Sequence, residues 1–190
     1  AYETASVLAS HGIQSYVFKE SRPTPELSFA VRYLHAIAGV VITASHNPKQ
    51  YNGFKVYGED GAQLTPQFAD EIVTHMENVD NLFTIQSMNI EELLTSDYCT
   101  EILEKLDDAY ARSLQTLKQR DNISKDLTIV YTPLHGSGFV PTMRALKEAH
   151  FTNVHVVEAQ AVQDGSFPTV SYPNPEEAAA FELAIELGNQ

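Results

Sequence analysis

The chain has 190 residues, of which 43% are hydrophobic and 19% charged, and its 25 acidic and 12 basic side chains give a formal charge of −13. This length and apolar content suffice for one ordinary domain or two small ones and exclude a disordered acidic tail. The excess of acid is spread over both halves, and no Lys/Arg cluster favours nucleic acid or an anionic membrane. We therefore expect neither partner.

The expected location is the cytoplasm. The longest apolar run, residues 36–44, has nine residues, far short of the roughly 20 that span a bilayer. No basic segment followed by an apolar one opens the chain, and the single Cys99 has no internal disulfide partner. Because the sequence begins at Ala1 inside a predicted helix over 2–10, we interpret it as a piece of a longer protein.

The first half predicts a βαβ unit. Residues 15–18 read as a short strand, and Thr24-Pro25-Glu26 predicts the start of a helix, with a proline and an acid in its first turn. The β-branched run 39–43 predicts a buried strand, so the order indicates a parallel sheet. Further along, Phe68, Ile72, Val73 and Met76 form a helical stripe.

The second half repeats this pattern after a polar, irregular stretch over 78–96 that suggests a boundary. A longer helix is predicted from the stripe Ile102, Leu103, Leu106, Leu114 and Leu117, and Cys99 is interpreted as a packing residue of the same helical pattern. Strands are predicted at 127–131 and 154–157, with a helix between them marked by Val140, Met143 and Leu146. Asn174 to Glu177 predict the start of a last helix that Gly188 ends.

The segment Thr43-Ala44-Ser45-His46-Asn47-Pro48 follows the strand over 39–43 directly. Ligands of open α/β sheets bind outside the carboxyl ends of strands, so the Ser45 hydroxyl is expected at the functional edge. A Ser beside a His also suggests a hydrolase, but adjacent residues rarely pair in that way and no Gly-x-Ser-x-Gly elbow is present. The structural alternative is a plain turn, because Asn-Pro often initiates one.

The distribution of charge favours a phosphate-bearing ligand over a plain turn. Lys49 and Lys55 flank the serine, whereas residues 56–104 hold eleven acids and no Lys or Arg. Cations beside a reactive hydroxyl suit an anionic substrate, even on an acidic protein. The alternative interpretation is two solvated lysines.

Together, the segment 43–48 and Tyr51-Asn52-Gly53-Phe54-Lys55 resemble the phosphoserine signature of the α-D-phosphohexomutases, the phosphoglucomutase/phosphomannomutase family. Thr132-Pro133-Leu134-His135-Gly136, Phe167-Pro168-Thr169 and Pro173-Asn174-Pro175-Glu176 resemble the beginning of that family's second domain. The run 51–61, with a predicted hairpin turn at Asp60-Gly61, is most similar to the branch of bacterial phosphoglucomutases and phosphopentomutase-like enzymes. The resemblance covers most of the chain.

The resemblance implies an intramolecular phosphotransferase of carbohydrate metabolism. A phosphorylated Ser45 would exchange phosphoryl groups between C1 and C6 of a hexose phosphate through a bisphosphate intermediate. His46 would orient the phosphate or exchange protons, and Lys55 would act as a cation or in acid/base transfer. Asn47 and Lys49 are expected to bind substrate, although Asn47 equally suits a role in fixing the loop.

The resemblance also implies two α/β domains of the three-layer βαβ type with mixed, mainly parallel sheets, each incomplete relative to the family's four-domain architecture. We expect domain I at 1–95 and domain II at 96–190. The family's Mg²⁺ is held by a phosphoserine oxygen, here on Ser45, and by three aspartates of an Asp-Gly-Asp-x-Asp-Arg-like loop that this sequence lacks. The partners would include the missing domains of the same polypeptide, and we expect the isolated chain to be inactive.

Several alternatives stay open at this point. His135-Gly136-Ser137-Gly138 resembles half of a dinucleotide-phosphate turn, but Pro141 occupies the third glycine position. The seven His residues show no metal-ligand spacing and are interpreted as surface or capping residues. Phosphoglucomutase is the favoured activity; phosphomannomutase, phosphopentomutase and a non-catalytic sugar-phosphate-binding module are the alternatives.

Overall fold

The computed structural model describes residues 1–120 and 122–190, which fold as an α/β protein with two compact units. Unit 1 comprises Ala1–Ser21, Leu27–Val40 and Val56–Leu106, and unit 2 comprises Arg22–Glu26, Val41–Lys55 and Asp107–Gln190. None of the helices in the described residues has the length and apolar content needed to cross a bilayer.

The regular elements alternate along the chain much as the sequence predicts. The helices are α1 (Tyr2–Ser10), α2 (Thr24–Tyr33), α3 (Pro66–Glu77), α4 (Ile90–Thr95), α5 (Glu104–Gln115), α6 (Phe139–Glu148) and α7 (Glu182–Gly188). The strands are β1 (Ser15–Phe18), β2 (Ala38–Ile42), β3 (Phe54–Gly58), β4 (Cys99–Ile102), β5 (Ile129–Tyr131) and β6 (Val154–Val156). Short 3₁₀ turns lie at Leu82–Thr84, Glu158–Gln160 and Ala178–Phe181.

Unit 1 is organised around the parallel pair of β1 and β4, in which Ser15 is opposite Cys99. Its core contains Leu93 of α4, which is fully buried, together with Val17 and two alanines of α1, Ala5 and Ala9. Alanines on α1 permit a close approach of that helix, and Leu93 fills the space beside it. The Asn89 side chain accepts a hydrogen bond from the Glu91 amide and caps α4.

Three predictions for this region are wrong, and each error has a physical reason. Strand β1 pairs with β4 rather than with β2, because pairing depends on distant residues that periodicity does not reveal. Cys99 and Ile102 lie in β4 and not in a helix, and α5 begins only at Glu104. The stretch 78–96, predicted to be irregular, contains the helix α4, whose Leu93 is fully buried.

Strand β2 is less buried than the β-branched run suggested, since both of its end residues, Ala38 and Ile42, are exposed. Its hydrogen-bonded neighbour is β3. The predicted turn at Asp60-Gly61 is present: the Asp60 carboxylate accepts from the Ala62 amide, and Gly61 adopts a φ of 75°. A side chain at Gly61 would meet the Ser28 carbonyl oxygen at 2.5 Å, so only glycine fits this turn.

Unit 2 contains the parallel pair of β5 and β6, joined by α6, as predicted. Ile129 is opposite Val154, and Tyr131 is opposite Val156, so the carboxyl ends of both strands meet at one edge. The last helix starts later than predicted. The side-chain carbonyl oxygen of Asn174 accepts a hydrogen bond from the Glu176 amide, as a helix start would require. A 3₁₀ turn follows, however, and α7 begins only at Glu182.

A buried pair of acids joins the first turn of α2 to α5 within unit 2. Glu26 is 1% exposed, and no N–H or O–H group of the described residues donates to either of its carboxyl oxygens. Asp107 faces Glu26 and is itself held by Arg22, with the Nε–Oδ1 distance at 3.0 Å and the Nη2–Oδ2 distance at 2.8 Å. Arg144, Tyr110 and Pro141 also line the small recess at this cluster.

The two carboxyl groups share one proton, and Glu26 is the group that carries it. Burial raises the pKa of Glu26 to about 8, and its hydrogen bond with Asp107 and the negative charge of Asp107 act in the same direction. Although burial acts against it, the hydrogen bonds from Arg22 and Glu26 hold the pKa of Asp107 below its usual range. At neutral pH Glu26 therefore carries the proton and donates it to the Asp107 carboxylate.

The acid pair predicts a pH-dependent stability. Because the pKa of Glu26 is about 8 in the folded chain and 4.5 for an ordinary exposed glutamic acid, the stabilising contribution of protonated Glu26 is complete below about pH 4.5. It is lost as the pH rises through about 8. In Glu26→Gln the amide donates to Asp107 at every pH. Urea unfolding between pH 5 and 8.5 should show a smaller loss of stability in this variant than in the unaltered chain.

The exposed Glu59→Gln is the matched control and should keep the pH dependence of the unaltered chain. Equal pH dependence in Glu26→Gln and the unaltered chain would show that Glu26 does not titrate in this range.

Candidate functional site

Ser45 lies in the loop between β2 and β3, which we call the serine loop, residues 43–53. The two ends of the loop are joined, because the Thr43 amide donates to the Gly53 carbonyl oxygen at 2.9 Å. The Thr43 hydroxyl then accepts from the Ser45 amide at 2.9 Å. A backbone bond from Asn47 to the Ala44 carbonyl oxygen, 3.0 Å long, closes the turn that carries the serine.

The backbone of Ser45 has a φ of 55°, in the left-handed region that few non-glycine residues occupy. Such conformations persist where the surrounding structure imposes them, and they concentrate at functional sites. The side chains of Ser45, His46 and Asn47 are all exposed. Nδ1 of His46 is 3.5 Å from the Ser45 hydroxyl oxygen. The imidazole is therefore next to the hydroxyl, although adjacent residues rarely place these two groups together. The hydroxyl is thus open to a ligand and has a proton-exchanging group beside it.

Gly53 sets the width of the serine loop. A Cβ at this position would lie 2.6 Å from the Thr43 carbonyl oxygen, a distance that real Cβ contacts do not show. The amide of Gly53 is bound in turn by the side chain of Asn52, with an N–Oδ1 distance of 3.0 Å. Gly53 therefore matters for its lack of a side chain, which lets the two ends of the loop meet.

The two lysines flank the serine loop differently. Lys49 is exposed within the loop, whereas Lys55 is half-buried on β3, just after it. Ser45, His46, Asn47, Lys49 and Lys55 all belong to unit 2, so the structure places the five predicted site residues in one unit, on a single β2–loop–β3 segment.

Two further loops of unit 2, at the carboxyl ends of β5 and β6, carry a polar network that sequence reasoning missed; it is buried at His135 and Gln160 and exposed at Thr169. The network consists of Thr132, His135, Gln160 and Thr169. Gln160 is 1% exposed and His135 is 5% exposed, so the interpretation of all His residues as surface or capping residues is wrong for His135. No local pattern indicates this network, since one of its hydrogen bonds joins His135 to Thr169, which are 34 residues apart.

Asp164 stands on the loop that this network holds. Its amide donates to the His135 carbonyl oxygen at 3.2 Å, and its exposed carboxylate accepts from the Ser166 hydroxyl at 2.7 Å and the Ser166 amide at 2.8 Å. These hydrogen bonds from Ser166 hold the pKa of Asp164 below its usual range.

The side chains present do not make a magnesium site by themselves. Within residues 1–120 and 122–190 there is no group of three or more His, Cys, Asp or Glu side chains placed to hold a metal ion. Asp164 offers one carboxylate, and its Oδ1 atom already accepts hydrogen bonds from the Ser166 amide and the Ser166 hydroxyl. Mg²⁺ prefers near-octahedral oxygen ligands, and the part of the chain that the structure describes does not bring enough of them together.

Together, these features define an α/β protein with a serine hydroxyl presented beside cations at a strand end. The phosphoglucomutase/phosphomannomutase family models match most of the chain: α/β/α domain I over residues 1–83 and α/β/α domain II over 108–190. The chain belongs to the phosphoglucomutase/phosphomannomutase family. Its α/β fold class agrees with the sequence prediction, whereas the predicted division at residue 95 stays a prediction.

Curated relatives of the family share substantial identity with the chain. A phosphoglucomutase of Staphylococcus haemolyticus is 41% identical over 186 residues, and one of Staphylococcus epidermidis is 40% identical over 187 residues. These matches cover 98% and 97% of this chain but 34% of each relative. The chain therefore spans about a third of the length of the curated relatives it matches.

Solved structures agree on the fold. A Thermus thermophilus protein provisionally named phosphomannomutase superimposes with a TM-score of 0.77 at 24% identity, covering 98% of this chain and 39% of that one. A phosphoglucomutase/phosphomannomutase family protein of Burkholderia thailandensis gives a TM-score of 0.61 at 20% identity, covering 87% of this chain and 33% of that one.

The close approach at Gly53 predicts that Gly53→Ala opens the serine loop. The added methyl group must push the Thr43 carbonyl away and break the bond that joins the loop ends, at a cost of roughly 1–3 kcal/mol. Hydrogen exchange of the Thr43 and Asn47 amides should accelerate. The control is Gly165→Ala, in another exposed loop, where a Cβ meets nothing within 4 Å. Unchanged exchange at Thr43 in Gly53→Ala would refute this account of the loop.

Proposed function

We propose that Ser45 is the phosphoryl carrier of an intramolecular phosphotransferase acting on a hexose phosphate, a phosphoglucomutase. The observation that carries the proposal is the exposed Ser45 hydroxyl, held in a left-handed turn at the carboxyl end of β2 with His46 beside it. The names of the relatives support glucose phosphate as the substrate. In the complete protein the missing domains and Mg²⁺ would contribute the remaining charge.

The proposed reaction has two balanced transfers. The phosphoryl group on Ser45 moves to a free hydroxyl of the sugar phosphate; a substrate O–P bond forms, the Ser45 Oγ–P bond breaks, and the hydroxyl proton leaves to a base. After the sugar bisphosphate turns around, the Ser45 oxygen attacks its other phosphoryl group: the Ser45 Oγ–P bond forms as the Ser45 hydroxyl gives its proton to a base, the sugar O–P bond breaks, and the released sugar oxygen takes up a proton. The net change is the position of one phosphoryl group on the sugar.

The neighbouring side chains have proposed roles that follow from their positions. His46, whose Nδ1 is 3.5 Å from the Ser45 oxygen, exchanges the proton that the hydroxyl loses and regains. Lys55 and Lys49 provide positive charge for the phosphoryl oxygens, for which positioning and neutralisation supply most of the catalysis. Asn47 closes the turn through its backbone amide. The acidic net charge makes such local cations necessary.

Phosphorylation of Ser45 is directly testable in the longer polypeptide that contains this chain. Intact-mass and peptide mass spectrometry should find one phosphate on Ser45 that is lost on incubation with excess glucose 1-phosphate or glucose 6-phosphate. Ser45→Ala should abolish both the phosphate and mutase activity, whereas the exposed Ser124→Ala should leave both unchanged. The isolated 190-residue chain should show no mutase activity.

The remaining outcomes separate the alternatives. Mutase activity that survives Ser45→Ala would overturn the phosphoserine assignment. Binding of a hexose phosphate without any phosphate on Ser45 or turnover would favour a non-catalytic sugar-phosphate-binding module. Faster loss of the Ser45 phosphate to mannose or pentose phosphates than to glucose phosphates would redirect the assignment to a phosphomannomutase or phosphopentomutase.

A further inference from the structure

The turn that carries Ser45 occurs a second time in unit 2. The first copy runs from Thr43 to His46, directly after β2, and the second runs from Thr132 to His135, directly after β5. Both copies have the spacing Thr-x-x-His. Because β2 pairs with β3 and β5 pairs with β6, the two copies follow strands of different sheets. Features that both copies share therefore arise within the turn itself.

The threonine hydroxyl makes the same hydrogen bond in both copies. Its oxygen accepts from the amide two residues later, from Ser45 at 2.9 Å in the first copy and from Leu134 at 3.1 Å in the second. The residue that donates is left-handed each time, with a φ of 55° at Ser45 and 48° at Leu134. Neither is a glycine or an asparagine, so the bond to threonine accompanies a conformation that these residues seldom adopt unaided.

A backbone hydrogen bond closes each copy in the same way. The Asn47 amide donates to the Ala44 carbonyl oxygen at 3.0 Å, and the Gly136 amide donates to the Pro133 carbonyl oxygen at 2.8 Å. The residue after threonine is thus alanine in one copy and proline in the other. Since the turn closes with either residue, the side chain at this position does not determine its geometry.

The other polar side chains of the two copies make different contacts. His46 is exposed, whereas His135 is buried. The Thr132 hydroxyl also donates to the Gln160 side chain, a bond that Thr43 does not make with any of the described residues. The bond that the threonine oxygen accepts is thus the side-chain contact that the two copies have in common.

One backbone geometry therefore holds two different side chains. At the third position of the turn, Leu134 is buried and Ser45 is exposed. The left-handed backbone fixes the direction in which the Cα–Cβ bond leaves the loop, whichever residue is present. For the exposed serine, this is the means by which the backbone places the hydroxyl.

We propose that Thr43 is a positioning residue for phosphoryl transfer: its hydroxyl oxygen accepts from the Ser45 amide and so keeps Ser45 in the left-handed conformation from which its Oγ atom gives up and regains the phosphoryl group. The inference rests on the proposed function of Ser45. Both transfers use the same oxygen atom, so that atom has to return to one place within each turnover. Thr43 acts through Ser45 and need not touch the substrate.

Thr43→Val tests this proposal in the longer polypeptide, because it removes the accepting oxygen and keeps a branched side chain of similar size. The kcat for the hexose phosphate should fall roughly tenfold, since misplacing a reacting atom slows the transfer step. The KM should change little, because the groups that bind the substrate stay in place. Thr43→Ser keeps the oxygen and should restore kcat.

Two further variants complete the set. Thr43→Ala removes the same oxygen with less bulk and should lower kcat to the same extent, so it takes the place of Thr43→Val should that variant not fold. The matched control is Thr128→Val, which removes a hydroxyl that accepts from the Asn153 side chain at 2.7 Å, before the amino end of β5. Its kcat should equal that of the unaltered protein.

Amide hydrogen exchange gives a readout independent of activity. In Thr43→Val the Ser45 amide loses its acceptor and should exchange faster, whereas in Thr43→Ser it should keep its rate. The Thr43 amide donates to the Gly53 carbonyl oxygen and should exchange at the unaltered rate in both variants. The two amides thus separate the loss of one hydroxyl from the opening of the whole loop.

The inference is contradicted by an unchanged kcat in Thr43→Val, by a kcat in Thr43→Ser as low as in Thr43→Val, or by a rise in KM without a fall in kcat. Equal acceleration of exchange at Thr43 and Ser45 would also contradict it, because the valine would then open the loop. If the proposed function itself fails, the unaltered protein carries no phosphate on Ser45; the inference fails with that phosphate present.

Discussion

The approach of Gly53 to Thr43 is the constraint on which the site depends. With no Cβ between them, the Thr43 amide reaches the Gly53 carbonyl oxygen, and the strands on either side can pair. The Thr43 hydroxyl is then in place to bind the Ser45 amide, which holds Ser45 in its left-handed conformation. The exposed hydroxyl is thus a consequence of backbone closure two residues away. A loop of the same length without this hydrogen bond would be less ordered at Ser45, whose hydroxyl is exposed.

Buried polar groups of unit 2 are satisfied by neighbouring polar groups. Glu26 keeps its proton and donates to Asp107, because two charged carboxylates in a buried place repel each other. Both ring nitrogens of His135 have a partner: Nδ1 is 3.0 Å from the Val162 carbonyl oxygen, and Nε2 is 2.8 Å from the Thr169 hydroxyl. Unit 2 therefore holds acid and imidazole groups in its interior by pairing each with a hydrogen-bonding partner.

Short sequence patterns predicted much of the secondary structure of this chain. Contacts between residues far apart in the sequence could not be predicted in this way. The start of α2, the strand before Ser45, the turn at Gly61 and the pairing of β5 with β6 all follow from spacing and turn chemistry within short segments. The five predicted site residues lie on one continuous stretch, so a local motif was enough to propose them, and their roles stay a prediction. The pairing of β1 with β4 joins residues more than 80 positions apart, and the His135 network joins residues 27 to 34 positions apart. No periodicity encodes such partners, because they are chosen by tertiary packing.

The acidic character of the chain does not decide what the serine loop can bind. A net charge of −13 disfavours an anionic ligand at long range, but screening reduces that repulsion beyond about 10 Å, so the groups near the loop decide the outcome. Lys49 is exposed within the serine loop, and Lys55 is half-buried on β3, just after it. Because charge-assisted contacts act at short range, two lysines on one β2–loop–β3 segment can offset the acidic net charge locally.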